Sequence, residues 1–156
     1  MLWGAVLVTG CATPAAGDRF YVLDGSLPAG EAPAAGQRFE GTLGVGPVHL
    51  PQALDRPQIV TRVGTHRLVL GEAHRWAADL DEQVTRVMSL QLGELLGGAR
   101  VLRYPWDPSL VPERQLLVDV LRLDAGPGDR ARLVAPWALM APRETSPLDT
   151  GEVRLE

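Results

Sequence analysis

One cysteine, three histidines and fifteen arginines without a single lysine set the chemistry open to this 156-residue chain. Cys11 closes the run Leu7-Val8-Thr9-Gly10-Cys11 after an apolar stretch. That is the pattern of a bacterial lipoprotein processing site, where a diacylglyceryl group alkylates the thiol, the peptide bond before the cysteine is cut and the freed amine can be acylated. Each buried methylene contributes about 0.8 kcal/mol, so one acyl chain anchors marginally and two or three anchor durably. A buried core thiol and a catalytic nucleophile are the other readings of Cys11, whereas a disulfide within the chain lacks its second cysteine. A nucleophile needs a nearby base or helix N-terminus to lower its pKa, and Cys11 runs instead into Ala12-Thr13-Pro14-Ala15-Ala16-Gly17.

The remaining titratable residues point away from catalysis. His49, His66 and His74 fall at no metal-ligand spacing, and a lone cysteine offers zinc no thiolate pair, so they read as surface or hydrogen-bonded core histidines. Without lysine there is neither Schiff-base chemistry nor a Walker-type phosphate loop. Residues 41–46 are glycine-rich but lack G-x-G-x-x-G spacing and run into Pro47, which suits a strand. Asp79, Asp81 and Glu82 stand where acidic residues cap a helix. No metal, cofactor or catalytic set is expected. A net charge of −4 with no basic run also argues against a nucleic-acid partner.

Arginine and aromatic side chains make up the segments that packing explains least. Leu54, Asp55, Arg56, Pro57 and Gln58, then Arg75 and Trp76, then Tyr104 and Trp106, carry the residue types enriched at binding hot spots. The competing reading is structural: Arg56 braces a loop and the tryptophans fill core.

The elements that must position these residues follow from periodicity. Residues 1–10 are apolar, lack the basic n-region of a signal peptide and are shorter than its usual span of about 15 residues or more, so they read as a remnant whose true start lies upstream. They also fall far short of the roughly 20 residues of a membrane-spanning helix. Residues 11–18 read as a lipidated tether and 19–156 as one domain of ordinary size. Strands are expected at 19–23, at 43–50 with an edge or bulge at Pro47, and at 59–63 and 66–70 as a hairpin around Gly64-Thr65. A helix capped by Asp79 or Asp81 runs to Leu96 with Val84, Val87, Met88, Leu92, Leu95 and Leu96 as its core face, closed by Gly97-Gly98. Further strands are expected at 101–104, over an unbroken alternation at 115–123, over an antiparallel partner at 131–140 with an edge or bulge at Pro136, and from Glu152 onward. The sum is an α+β domain, a mixed and mostly antiparallel sheet packed by one clear helix. That helix cannot cover one face of five or more strands alone, so a further layer is expected.

Taken in order, Phe20-Tyr21-Val22-Leu23, Val45-Gly46-Pro47-Val48, residues 54–60, residues 75–80 and Arg103-Tyr104-Pro105-Trp106 resemble the PqiC-like ABC-type transport auxiliary lipoproteins over nearly the whole chain. The resemblance implies a periplasm-facing lipoprotein beside MCE-domain proteins and membrane permease components in intermembrane lipid transport, an accessory that makes and breaks no bonds, possible as a homo-oligomer. It implies that the further layer includes a C-terminal helix that this chain lacks. Ala12, where an aspartate commonly marks inner-membrane retention, adds the expectation of an outer-membrane destination. The alternative is a monomeric lipoprotein that itself carries a hydrophobic ligand in an apolar cleft.

Overall fold

The computed structural model describes residues 17–26, 39–97, 99–125 and 131–155. Cys11 and most of the expected tether lie outside the described residues. Apolar alternation builds the centre of a nine-stranded sheet. Strands β6 (Arg114–Asp119) and β7 (Arg122–Ala125) follow one another along one side of β8 (Ala131–Met140), and β9 (Asp149–Leu155) runs along its other side, all antiparallel to β8.

Beyond this centre the sheet forks. On one branch β2 (Thr42–His49) lies parallel to β6 and carries β5 (Arg100–Arg103), again parallel, at its outer side. On the other, β3 (Gln58–Val63) meets β7 in parallel at the single register pair Thr61 and Ala125. It carries β4 (Arg67–Trp76) antiparallel, with β1 (Arg19–Tyr21) parallel to β4. Helix α1 (Leu80–Leu95) packs on β2 and β5. The result is a single α+β domain, with a core of Val48, Leu54, Val60, Leu80, Val118, Val120 and Ala135.

The unbroken alternation expected at 115–123 is interrupted. Val118 pairs with Trp137 and Arg122 with Val134, so three residues on one strand face two on the other. The extra residue is a β-bulge and reverses the alternation beyond it. Leu123 therefore joins Leu116, Val118 and Val120 on one face instead of opposing them. Pro136 sits opposite this bulge. The Val134 carbonyl accepts from Leu121 and the Leu139 carbonyl from Leu148 on the β9 side, so Pro136, two residues from Val134, turns its missing N–H toward the interruption. Pro47 likewise lies within the register shift between Val45 and Val48. Pro47 occupies a bulge and Pro136 faces one, both in interior strands.

The helix is rotated relative to its expected core face. Asp79 holds the N-cap position without a side-chain capping bond, and the buried helical residues are Leu80, Gln83, Thr85 and Ser89. The Thr85 and Ser89 hydroxyls donate to the carbonyls of Asp81 and Thr85, each at 2.7 Å, which satisfies them within the helix. Small residues at positions 85, 89 and 93 let the helix approach closely, with Val101 in contact range at Gly93. The stripe of Val84, Val87, Met88, Leu92 and Leu95 is consequently only half-buried. Gly97, at φ 71°, closes the helix as expected.

Candidate functional site: an apolar groove between helix and sheet

Because α1 packs on the β2–β5 branch, no other described element lies over the face of β6, β7, β8 and β9 beside it. The half-buried helical side chains Val84, Met88, Leu92 and Leu95 form one wall of a groove of about 600 Å³. Leu116, Val118, Val120, Leu123, Leu133, Ala135, Trp137 and Val153 supply the floor and the opposite wall. Among the described residues of the lining, Gln91 is the sole polar one and none is charged. The bulge is a condition of this surface, since it is what turns Leu123 inward.

Leu23, just past β1, also lines the groove. The Leu23 N–H donates to Gln83 Oε1 at 2.8 Å, and Gln83 Nε2 donates to the Ala78 carbonyl at 2.9 Å. Arg86 Nη2 donates to the Leu23 carbonyl at 2.6 Å. The buried Gln83 is thus satisfied on both sides of its amide, and it ties the incoming chain to the helix. Such a lining favours hydrocarbon and gives an ionic headgroup no counter-charge. Among the described residues no three His, Cys, Asp or Glu side chains gather as a metal site would require.

The residues marked by sequence divide into two places. Trp76 N–H donates to the Pro57 carbonyl at 2.7 Å and Gln58 pairs with Arg75, so residues 54–58 and 75–76 meet at one end of the β3–β4 hairpin. Leu54 is core, and Trp76 packs against that core. Arg56 Nη2 makes only a long 3.5 Å contact to the Gln52 carbonyl, and Arg75 lies 3.1 Å from Asp18. Tyr104 and Trp106 stand on the other branch, edge to face with centroids 5.5 Å apart. Trp106 covers Gly44, where a Cβ would come within 2.8 Å of its ring, and at Gly46 a Cβ would come within 2.8 Å of Tyr104 Cβ. Tyr104 and Trp106 line a second concavity of about 510 Å³ with Glu82, Arg103, Asp107 and Leu110.

Two arginines converge on the buried Asp124. Arg62 Nε lies 2.5 Å and Arg122 Nε 2.9 Å from Oδ2, with Arg122 Nη2 3.2 Å from Oδ1. Burial pushes this carboxyl up, but the two guanidiniums outweigh it and hold the pKa below the ordinary 3.8. The cluster joins β3 to β7, where the backbone contributes one register pair.

The sequence missed the groove because it assigned the apolar helical stripe to a closed core. The signal that would have found it is the run of small residues Thr85, Ser89 and Gly93 on another face.

Comparison with known proteins places these features in context. The family model for the ABC-type transport auxiliary lipoprotein component matches residues 21–156. The crystal structure of a Xanthomonas campestris protein of the DUF330 family is similar at TM-score 0.73 and 15% identity, over 88% of this chain and 76% of that one. A second crystal structure, of an uncharacterized protein, is similar at TM-score 0.65 and 18% identity, over 90% of this chain and 80% of that one. No curated protein matches the chain.

Proposed function

Because the chain belongs to the ABC-type transport auxiliary lipoprotein component family, we propose that it is a non-catalytic accessory of an MCE-type intermembrane lipid transport system. In this reading Cys11 carries the lipid anchor, and the domain stands on the periplasmic face of the outer membrane. The observation that carries the reading is the groove, a concave and largely apolar surface that suits acyl chains and, among the described residues, presents no titratable side chain. The surface of Asp55, Arg56, Pro57, Gln58 and Arg75, based on Leu54 and Trp76, is assigned to contact with the MCE or permease partner or with another copy. Tyr104 and Trp106 form a second contact surface.

The groove also favours a second reading, in which the protein itself carries one hydrophobic ligand as a monomer. Solvent extraction of purified protein followed by mass spectrometry separates the two. A carrier retains about one lipid per chain, whereas an accessory retains none and still loses transport support when Leu92→Glu places a charge in the groove. Full transport support from a folded Leu92→Glu protein refutes both.

A further inference from the structure

The second concavity follows the open edge of β5, and its geometry goes beyond the groove reading. Tyr104 N–H donates to the Val45 carbonyl at 3.0 Å, which turns the polar groups of Tyr104, and by alternation those of Leu102, toward β2. Val101 and Arg103 therefore direct their N–H and C=O groups away from the sheet. Among the described residues no strand pairs with that side of β5.

Walls stand on both sides of these free groups. Glu82 and Thr85 of α1 rise on one face, and Tyr104, Trp106 and Leu110 rise on the other. A strand added at this edge alternates its side chains between the helix and the aromatic wall. Charge selects among strands. Among the described residues the lining carries the acids Glu82 and Asp107 and the cation Arg103, a net of one negative charge. Both Ser109 bonds to Asp107 fall on Oδ1, and among the described residues no hydrogen bond falls on Oδ2.

We propose that the β5 edge is a strand-addition site for an extended segment of another protein, one that alternates apolar and basic side chains. Main-chain hydrogen bonds to Val101 and Arg103 supply sequence-tolerant affinity, and the two walls supply selectivity. The apolar side chains lie on Tyr104 and Trp106, and a basic side chain meets Glu82 and Asp107.

The probe is a fluorescein-labelled octapeptide of alternating valine and arginine, titrated against the full chain by anisotropy. A peptide of the same sequence N-methylated at every residue is the control, since it keeps the charge and loses the donors. Saturable binding is expected, weakened at least tenfold by N-methylation and several-fold by Glu82→Arg, a change on the exposed helix surface. Hydrogen exchange should slow at the Val101 and Arg103 amides on binding and stay unchanged at Leu102 and Tyr104. The proposal is overturned by equal affinity of the N-methylated peptide, by protection on the β1 or β9 edge instead, or by no saturable binding. Unchanged affinity in Glu82→Arg overturns the basic partner assigned here. Because these outcomes are read on a peptide at β5, they are independent of lipid retention in the groove.

Discussion

Replacing Asp124 with asparagine keeps its shape and removes only its charge, so the loss reports what holds the two sheet branches together. The side chain is 3% exposed and receives three contacts from two arginines. Breaking a buried ion pair from one side costs about 3–5 kcal/mol. Here the Arg62 and Arg122 side chains are 27% and 33% exposed and can turn partly to water, which lowers the expected cost to about 2–3 kcal/mol. For a chain of this length that is a fall in Tm of about 4–12 °C. The pH dependence follows from a depressed native pKa: the stabilisation is fully present above the unfolded value of 3.8 and is lost as pH falls through the native value. The gap between parent and Asp124→Asn, measured by urea unfolding, should be constant from neutral pH to about pH 5 and close below 3.8. Amide exchange should quicken in β3 and β4 and not in β2 and β5. A variant melting within about 1 °C of the parent, or a gap that does not narrow as pH falls below the unfolded value, refutes the reasoning.

Three further outcomes are expected. Cys11→Ala in a full-length precursor should move the protein from carbonate-washed membranes to the soluble periplasm; continued pelleting removes the anchor reading. Gly44→Ala puts a Cβ 2.8 Å from the Trp106 ring and 2.9 Å from Pro112, and this overpacking should cost about 1–3 kcal/mol, seen as a lower Tm and an altered near-ultraviolet circular dichroism spectrum. Gln83→Leu strands the Leu23 N–H and should cost about 1–3 kcal/mol, with faster exchange at the Leu23 amide; an unchanged rate shows that Gln83 does not hold that segment.

What was legible in the sequence is what depends on nearest neighbours. The β3–β4 hairpin around Gly64, the helix ending at Gly97 and the β6–β8 pairing follow from local turn chemistry and alternation. The bulge at Val120–Leu121 was invisible because it is defined by the length of the opposing strand, although Pro136 marked its place from across the sheet. Helix rotation was misread for a related reason. Hydrophobicity chose the apolar stripe as core, while close approach chose Thr85, Ser89 and Gly93, whose small size and self-satisfied hydroxyls let the backbone come near. Of the candidate site, the aromatic residues beside β5 were legible by type, but the free edge between its two walls depends on strand order, which no local pattern encodes.

The parallel pairing of β1 with β4 has a mechanical consequence. Any pull along the chain from the Cys11 side enters the domain through β1, whose three register pairs to β4 run along the strand axis. A load in that direction shears the rungs together instead of peeling them one after another. The Tyr21 hydroxyl on His74 Nδ1 at 2.6 Å and the Asp18–Arg75 pair share that load. Behind them the hold of Gln83 and Arg86 on Leu23 is a second stop. Together they form a strain relief, so tension applied ahead of β1 is spent at the rim of the sheet before the groove floor is disturbed.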